Sequence, residues 1–597
     1  MNTRTTQTLL IAILFNAILF TIVSPPAYAA PQAAFPYATA GISERAAATH
    51  LLERFAFGAR PGDVDKVVVM GLSVWLEQQL SGELPSPMLE GRLSGFRHLS
   101  MSARDIVKTY PRNGTVRSQA IRAGILPKDY SKVTQSEMRQ KLKAFSQEKG
   151  YRPPGQLNNE LLSQKLLRGV YSENQLVEVL TDFWFNHFNV TIRDNQASLW
   201  VPSYERDAIR PYVLGKFRDL LGATAKHPAM LYYLDNAQST APPSPPRRRR
   251  VRPLAGDAES GSEMMEMTAP PRRAKRGINE NYARELLELH TLGVDGGYTQ
   301  KDVVEVARAL TGWGVFPSGQ GAKRIRTQMK RRPNAFVKEG EFLFRASAHD
   351  LKPKTILGQK FPAGGGIEEG ERVLDMLTQH PSTAHHIAYK LAIRFVSDNP
   401  PEPVVNRLAE TFLKTEGDIR ALIRTIAASP EFWEAAKQRT KTRTPFGLVV
   451  SALRTLKADV KQTRPTLSWI ARMGQPLYAC QPPTGYAYHA EAWVNTGTLI
   501  SRMNFGLNLA ARRIKGIRLN LSALNATSQS ESADAMLNTY AALILPERDL
   551  TQTLQQLTPI VQEASQPKKQ ARNQKKQGEM VARVVGVIIG SPEFQRY

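Results

Sequence analysis

Cysteine is the scarcest residue of this chain. Cys480 is the only one among 597 residues. No disulfide can therefore form within the chain, and a large hydrophobic core has to hold the fold. A lone thiol without the sequence setting of a cysteine protease is typical of a small buried apolar side chain, and we interpret Cys480 in that way.

The common motifs of catalysis and nucleotide binding are also absent. The sequence has no P-loop, no Rossmann glycine fingerprint and no Gly-x-Ser-x-Gly elbow. It lacks the His-Glu-x-x-His pattern and the cysteine–histidine pairs of zinc sites. The Asp-Gly-Gly at 295–297 lacks the spaced carboxylates of an EF-hand loop and predicts a tight turn. The sequence therefore assigns no cofactor, and it leaves open whether any metal binds.

Long apolar runs are absent except at the N-terminus, where Leu9 to Val23 is apolar and Arg4 is the only charge. Ala27-Tyr28-Ala29 supplies small residues where a signal peptidase would cut. The pattern predicts a signal peptide over residues 1–29, followed by a lead segment at 30–44, and a periplasmic or secreted location. The alternative is an N-terminal anchor that is not cleaved.

Acidic residues are too few to balance the basic ones, since 79 Lys and Arg face 53 Asp and Glu and leave a net charge of +26. Outside the cytoplasm nucleic acid is not an expected partner, whereas an anionic envelope surface or an acidic glycan would be attracted. The alternative is that the charge lies in flexible inserts and only solvates them.

Most of the chain shows the periodicity of helices. The stretch from Leu176 to His187 is apolar and aromatic at helical spacing, which predicts a deeply buried helix. Only short stretches, such as 336–344, alternate like strands. We expect a mainly α protein, a large multi-helix globular fold over residues 45–597 with few short strands.

Residues 279–314 predict a helix, a glycine loop and a second helix, around which the rest of the fold is organised. Tyr282, Leu286 and His290 fall on one face of the first helix. Thr299 is expected to cap the second helix, with Asp302 as its capping-box partner. Apolar stripes on both helices predict that this hairpin is buried on two faces.

Two inserts interrupt the helical pattern, at about 239–277 and 562–579. The first is rich in proline and charge and lacks periodicity, which predicts disorder. The second is polar and basic and is also predicted to be disordered. A further basic stretch lies at 321–333. If these three segments bind anionic surfaces, the binding should weaken as salt screens the charge.

Several segments together resemble one bacterial family. They are HLLERFAFGARPGDVD, LTDFWFNHFNV, NENYARELLELHTLG followed by GYTQKDVVEVARALTGW, HPSTAHHIAYKLAIRFVSDNPP, GDIRALIRTIAASPEFW, GQPLYACQPPTGY and GSPEFQRY. In this order they resemble the signature of domain of unknown function 1800 (DUF1800). The resemblance implies a large, exported, mostly helical protein. It also implies a partner, because members are often encoded beside a second secreted family of unknown function. The family carries no established activity.

Five residues are candidates for a catalytic site: His187, Glu285, His290, Asp302 and His349. His187 and His290 lie on apolar helix faces, so we expect the two rings to meet in the interior within about 12 Å, close enough for one ion or water to touch both. The structural alternative is a pair of core histidines bonded to carbonyls or carboxylates.

The other three candidates have simpler interpretations. Glu285 lies about 140° around the helix from His290, so one ion cannot be held by both on a regular helix. A zinc ion would need His290 together with His187 or His349. His349 and Asp350 resemble a general-base pair, but adjacent residues rarely face each other, and turn chemistry is the alternative.

Two functions from different classes follow. One is a non-enzymatic envelope or secreted component that acts with a protein partner. The alternative is a hydrolase or lyase acting on an acidic extracellular polymer. The absence of a catalytic motif favours the first.

Overall fold

Helices make up most of the protein in its computed structural model. The structure describes residues 35–131, 133–242, 277–525, 532–563 and 573–597, all of them within one unit, Phe35–Tyr597. The predicted signal peptide at 1–29 and most of the predicted insert at 239–277 lie outside the described residues. The described part contains 27 α-helices and seven short strands, so the mainly α fold class is confirmed.

The helices of the N-terminal part surround the aromatic helix α9, whose apolar face is fully buried. Directly after α10, a π-helical turn at Tyr204–Ile209 continues the same helical path. The bounds of α1 to α12 are Glu44–Arg54, Asp63–Met70, Leu72–Ser81, Pro87–Leu93, Ala103–Thr109, Asn113–Arg122, Gln135–Glu148, Pro154–Tyr171, Gln175–His187, Val201–Ser203, Phe217–Lys226 and Pro228–Tyr233.

The remaining helices begin with the central hairpin, α13 and α14, and end at the C-terminus. Their bounds, α13 to α27, are Asn281–Glu285, Gln300–Ala309, Gly319–Arg331, Ile367–Thr378, Pro381–Phe395, Glu402–Lys414, Ile419–Ala428, Pro430–Gln438, Pro445–Thr455, Arg464–Arg472, Thr496–Ala510, Ala533–Ile544, Thr551–Glu563, Asn573–Gly590 and Pro592–Gln595. No helix among the described residues is long and apolar enough to cross a membrane.

The strands form three small antiparallel sheets. Their bounds, β1 to β7, are Trp313–Val315, Phe336–Glu339, Phe342–Arg345, Lys354–Ile356, Gln359–Phe361, Asp459–Val460 and Ile517–Arg518. The largest sheet has the order β1-β3-β2, with Trp313 and Val337 both opposite Phe344. The pairs β4–β5 and β6–β7 form the other two sheets. The alternation at 336–344 therefore marks a real hairpin.

The central hairpin forms as expected, with one difference. The Thr299 side chain accepts from the backbone N–H of Asp302, and the Asp302 carboxylate accepts from the N–H of Thr299, so the predicted capping box is present. The first helix, however, is α-helical only to Glu285 and widens into a π-helical turn over Leu286–Thr291. The Thr291 hydroxyl donates to the carbonyl of Leu286, five residues back, which stabilises the wider turn.

Two basic segments are helical over much of their length. The stretch at 321–333 lies largely in α15, whose Ala322, Ile325 and Met329 pack on Phe316 and Leu343. Residues 573–579 of the predicted insert at 562–579 belong to α26, and residues 564–572 lie outside the described part. In α15 the apolar residues recur at helical spacing between the charges, and the charge density concealed this stripe.

Candidate functional site

The end of the π-helical turn is where the predicted histidines meet. The last carbonyls of a helix lack partners within the helix, and two side chains supply donors here. Nε2 of His187 lies 3.1 Å from the carbonyl oxygen of His290, and Nε2 of His386 lies 3.1 Å from that of Leu289. A carbonyl can only accept, so both Nε2 atoms carry the proton.

The rings of His187 and His290 are 6.1 Å apart between centroids, and those of His187 and His386 are 6.2 Å apart. The expectation that His187 and His290 meet in the interior is therefore confirmed. Phe188 packs against both rings, at 4.5 and 5.1 Å. The surroundings are mostly aromatic, because α9 and the hairpin turn their apolar faces towards each other.

All three imidazoles are neutral at pH 7. Burial lowers the pKa of His290 to about 3 and that of His386 to about 4, and the nearby Lys390 ammonium adds to both shifts. Burial and Lys390 also hold the pKa of His187 well below its usual value. The Lys390 amine itself has its pKa lowered to about 8 by burial. Desolvation disfavours the charged form in each case.

His187 and His290 are closed to solvent, each being 1% exposed, whereas His386 is partly exposed. The cavities of about 610 and 460 Å³ are lined by other residues. Nδ1 of His187 and Nε2 of His290 are buried without a hydrogen-bond partner in the described structure. Among the described residues, no group of three or more His, Cys, Asp or Glu side chains is arranged to hold a metal ion.

His349 belongs to a different cluster. Its Nδ1 lies 2.8 Å from the carbonyl oxygen of Thr311, and its Nε2 lies 3.2 Å from the Glu369 carboxylate. The Asp350 carboxylate instead accepts a hydrogen bond from Nε of Arg308 at 2.9 Å. The two adjacent side chains thus have separate partners and do not pair with each other. Both residues join the segment after β3 to α14 and α16.

Glu285 and Asp302 lie apart from the histidines as well. Asp302 caps α14 and accepts from the backbone N–H of Leu357 at 2.7 Å, which ties the β4–β5 hairpin to this helix. Glu285 is partly buried, and burial together with Glu288 raises its pKa. The described contacts of the five candidates fall into separate places, so the structure does not assemble them into one site.

Two features of the interior escaped the sequence analysis. His386 and Lys390 are one turn apart on α17, a spacing that could have drawn attention to them. The buried Glu205 carboxylate accepts from Gln164, Arg210 and Tyr478. Burial alone would raise the pKa of Glu205, but Arg210, Lys165 and the Tyr478 hydroxyl outweigh it and lower that pKa. Nothing local in the sequence joins residues so distant along the chain.

Helix α23 carries an exposed apolar surface, here called the α23 stripe. Its members span two turns of the helix and are partly exposed, and they are Leu499, Ile500, Met503 and Leu507. The opposite face, with Phe505 and Leu509, is buried. Helix α26 packs beside the stripe, where its Gly586 and Gly590 approach Leu507 and Met503. The stripe is thus covered by α26 along one edge and open to solvent along the other.

Comparison with known proteins identifies a family but no individual related protein. No curated protein and no solved structure matches the chain. One family model, described as a protein of unknown function (DUF1800), matches residues 50–596. Because this match covers nearly the whole length, the chain belongs to the DUF1800 family.

Proposed function

We propose that this protein is an exported, non-catalytic component that binds a partner protein through the α23 stripe. The observation that carries the proposal is the exposure of four large aliphatic side chains on one helix face, with Ile500 56% and Met503 49% exposed. Contiguous exposed apolar surface of this kind marks interaction sites in soluble proteins.

The charge around the stripe indicates the chemistry of the partner. Between Glu491 and Glu531 the chain contains no acidic residue. Arg512, Arg513 and Lys515 follow the C-terminal end of α23 and are exposed. A partner with acidic residues beside an apolar ridge would match both the stripe and these cations.

The spacing of the stripe favours a helix as the docking element. Leu499, Met503 and Leu507 are four residues apart and form one ridge, which fits into the groove of a second helix. Met503 has a flexible side chain that adapts to an apposed surface. The stripe has no aromatic residue of the kind that anchors helices at a membrane interface, so we commit to a protein partner.

Three further points support this proposal over an enzyme. The predicted catalytic histidines are enclosed by aromatic side chains, so a polymer has no path to them. The N-terminal pattern of residues 1–29 favours export. The family resemblance supplies a candidate partner, the secreted protein encoded by the neighbouring gene.

Co-expression with that neighbouring secreted protein tests the proposal. We expect a stable complex, and we expect Ile500→Glu and Met503→Glu each to weaken it at least about tenfold, because each places a charge in the apolar contact. Val69→Glu is the matched control, since Val69 is 89% exposed on α2 and lies outside the stripe. Thermal unfolding should be the same for all three variants.

Two results would overturn the proposal. One is a complex whose affinity is unchanged by both stripe variants. The other is the absence of a complex together with binding to anionic phospholipid vesicles that the stripe variants abolish, which would make α23 a membrane-binding helix.

A further inference from the structure

An open cavity of about 610 Å³ lies on the side of the molecule formed by α4, α8, α9 and α19. It is separate from both the histidine cluster and the α23 stripe. Its volume is in the range of about 300–1,000 Å³ typical of sites for small organic ligands. Because several elements distant along the chain form its walls, no local motif marks it.

One part of the cavity wall is aliphatic, and serines and Asn174 line another part. The apolar lining side chains include Leu84, Leu89, Leu93, Leu99, Val177 and Val213, and no aromatic residue is among the described lining residues. Against the aliphatic part, a sugar would leave hydroxyl groups without hydrogen-bond partners, at a cost in free energy. A flexible aliphatic chain would bury its surface there favourably.

The polar side of the cavity is cationic. Arg210 is paired with Glu178 through two hydrogen bonds of 3.0 and 2.9 Å. Arg420 instead donates to two backbone carbonyls, and no carboxylate pairs with it in the described part of the chain. Arg168 reaches the Glu178 carboxylate only at 4.0 Å, and burial together with Arg210 lowers its pKa. Three arginines and two glutamates, Glu178 and Glu90, line the cavity, so its lining keeps one positive charge in excess.

We propose that this cavity binds an aliphatic carboxylate of the medium-chain fatty-acid class. The carboxylate lies against Arg420, which can donate a further charge-assisted hydrogen bond, and the chain lies along the leucine and valine wall. This inference does not depend on the α23 stripe, and it adds a ligand site to a protein proposed to bind a partner elsewhere.

Calorimetric titration of the folded full chain with decanoate at pH 7.5 tests the site. We expect saturable binding of one decanoate per chain. Decanol, which has the same aliphatic chain without the charge, should bind at least about tenfold more weakly, because it cannot form a charge-assisted hydrogen bond with Arg420. Glucuronate, which has the charge without the aliphatic body, should not bind.

Two variants on one helix locate the carboxylate. Arg420→Met should weaken decanoate binding at least about tenfold. Arg424→Met is the matched control: Arg424 pairs with Glu77 outside the cavity, and its loss should leave the affinity unchanged. Equal binding of decanol and decanoate, binding of glucuronate, or an unchanged affinity in Arg420→Met would overturn the proposal. If Arg420→Met does not fold, the ligand series decides alone.

Discussion

The histidine cluster makes the stability of this protein depend on pH in a way that one substitution can isolate. In the wild type, Nε2 of His386 donates a hydrogen bond to the carbonyl of Leu289. His386→Gln removes this imidazole and keeps an N–H that can donate to the same carbonyl. His385, the preceding residue, is about half exposed and makes only a long contact with Glu402. His385→Gln is therefore a matched control one position away on the same helix.

The sign and size follow from the lowered pKa of His386, about 4 in the folded protein against 6.5 for a free imidazole. Below pH 6.5 the unfolded chain binds a proton that the folded chain does not, so stability is fully present above pH 6.5 and falls as the pH drops towards 4. From pH 7.5 to 5.0 this single group lowers the free energy of unfolding by about 2 kcal/mol.

Urea unfolding followed by circular dichroism at pH 7.5 and 5.0 measures the effect. Wild type and His385→Gln should lose the same stability over this interval, and His386→Gln should lose about 2 kcal/mol less. Other buried histidines, including His187 and His290, change the free energy of unfolding with pH by the same amount in all three proteins. Their contribution therefore cancels in the comparison. An equal loss in all three would show that His386 is charged in the fold, and the account of the cluster would be wrong.

Two further predictions concern packing and the buried carboxylate. Gly506→Ala should destabilise the protein by about 1–3 kcal/mol, because the added methyl group would lie 2.7 Å from a backbone oxygen of α26; Gly497→Ala on the same helix meets only ordinary contacts and should not, as thermal unfolding of both will show. Tyr478→Phe should cost about 1–3 kcal/mol, because it removes a hydrogen bond to the buried Glu205 carboxylate. Tyr389→Phe, on an exposed tyrosine, is the control, and equal unfolding midpoints would contradict the prediction.

Local features of the fold could be predicted from the sequence because they depend on neighbours along the chain. Ser43 accepts from the N–H of Ala46 and caps α1, and Thr299 with Asp302 caps α14. The burial of His187 and His290 followed from helical periodicity, which tells which face of a helix is apolar. Their meeting followed because two buried imidazoles on apolar faces share the same core.

The site as a whole could not be predicted in this way. Periodicity shows that a face will be covered but not which helix covers it. The sequence analysis therefore did not predict that His386 belongs to the cluster, and it grouped His349 with residues that His349 does not contact. The partners of both are backbone carbonyls, those of Leu289 and Thr311, which every residue type carries equally and which the sequence cannot distinguish.

The sequence by itself thus determined the fold class, the family and the caps, because composition, motif order and local hydrogen bonding are properties of the chain alone. Only the tertiary structure decided which apolar surfaces stay uncovered. Helix α23 is apolar on both sides, and only the folded structure shows that Ile500 and Met503 stay about half exposed beside α26. The cavity beside Arg420 likewise exists only where distant helices leave space between them, since empty volume is a property of packing and has no counterpart in the order of residues.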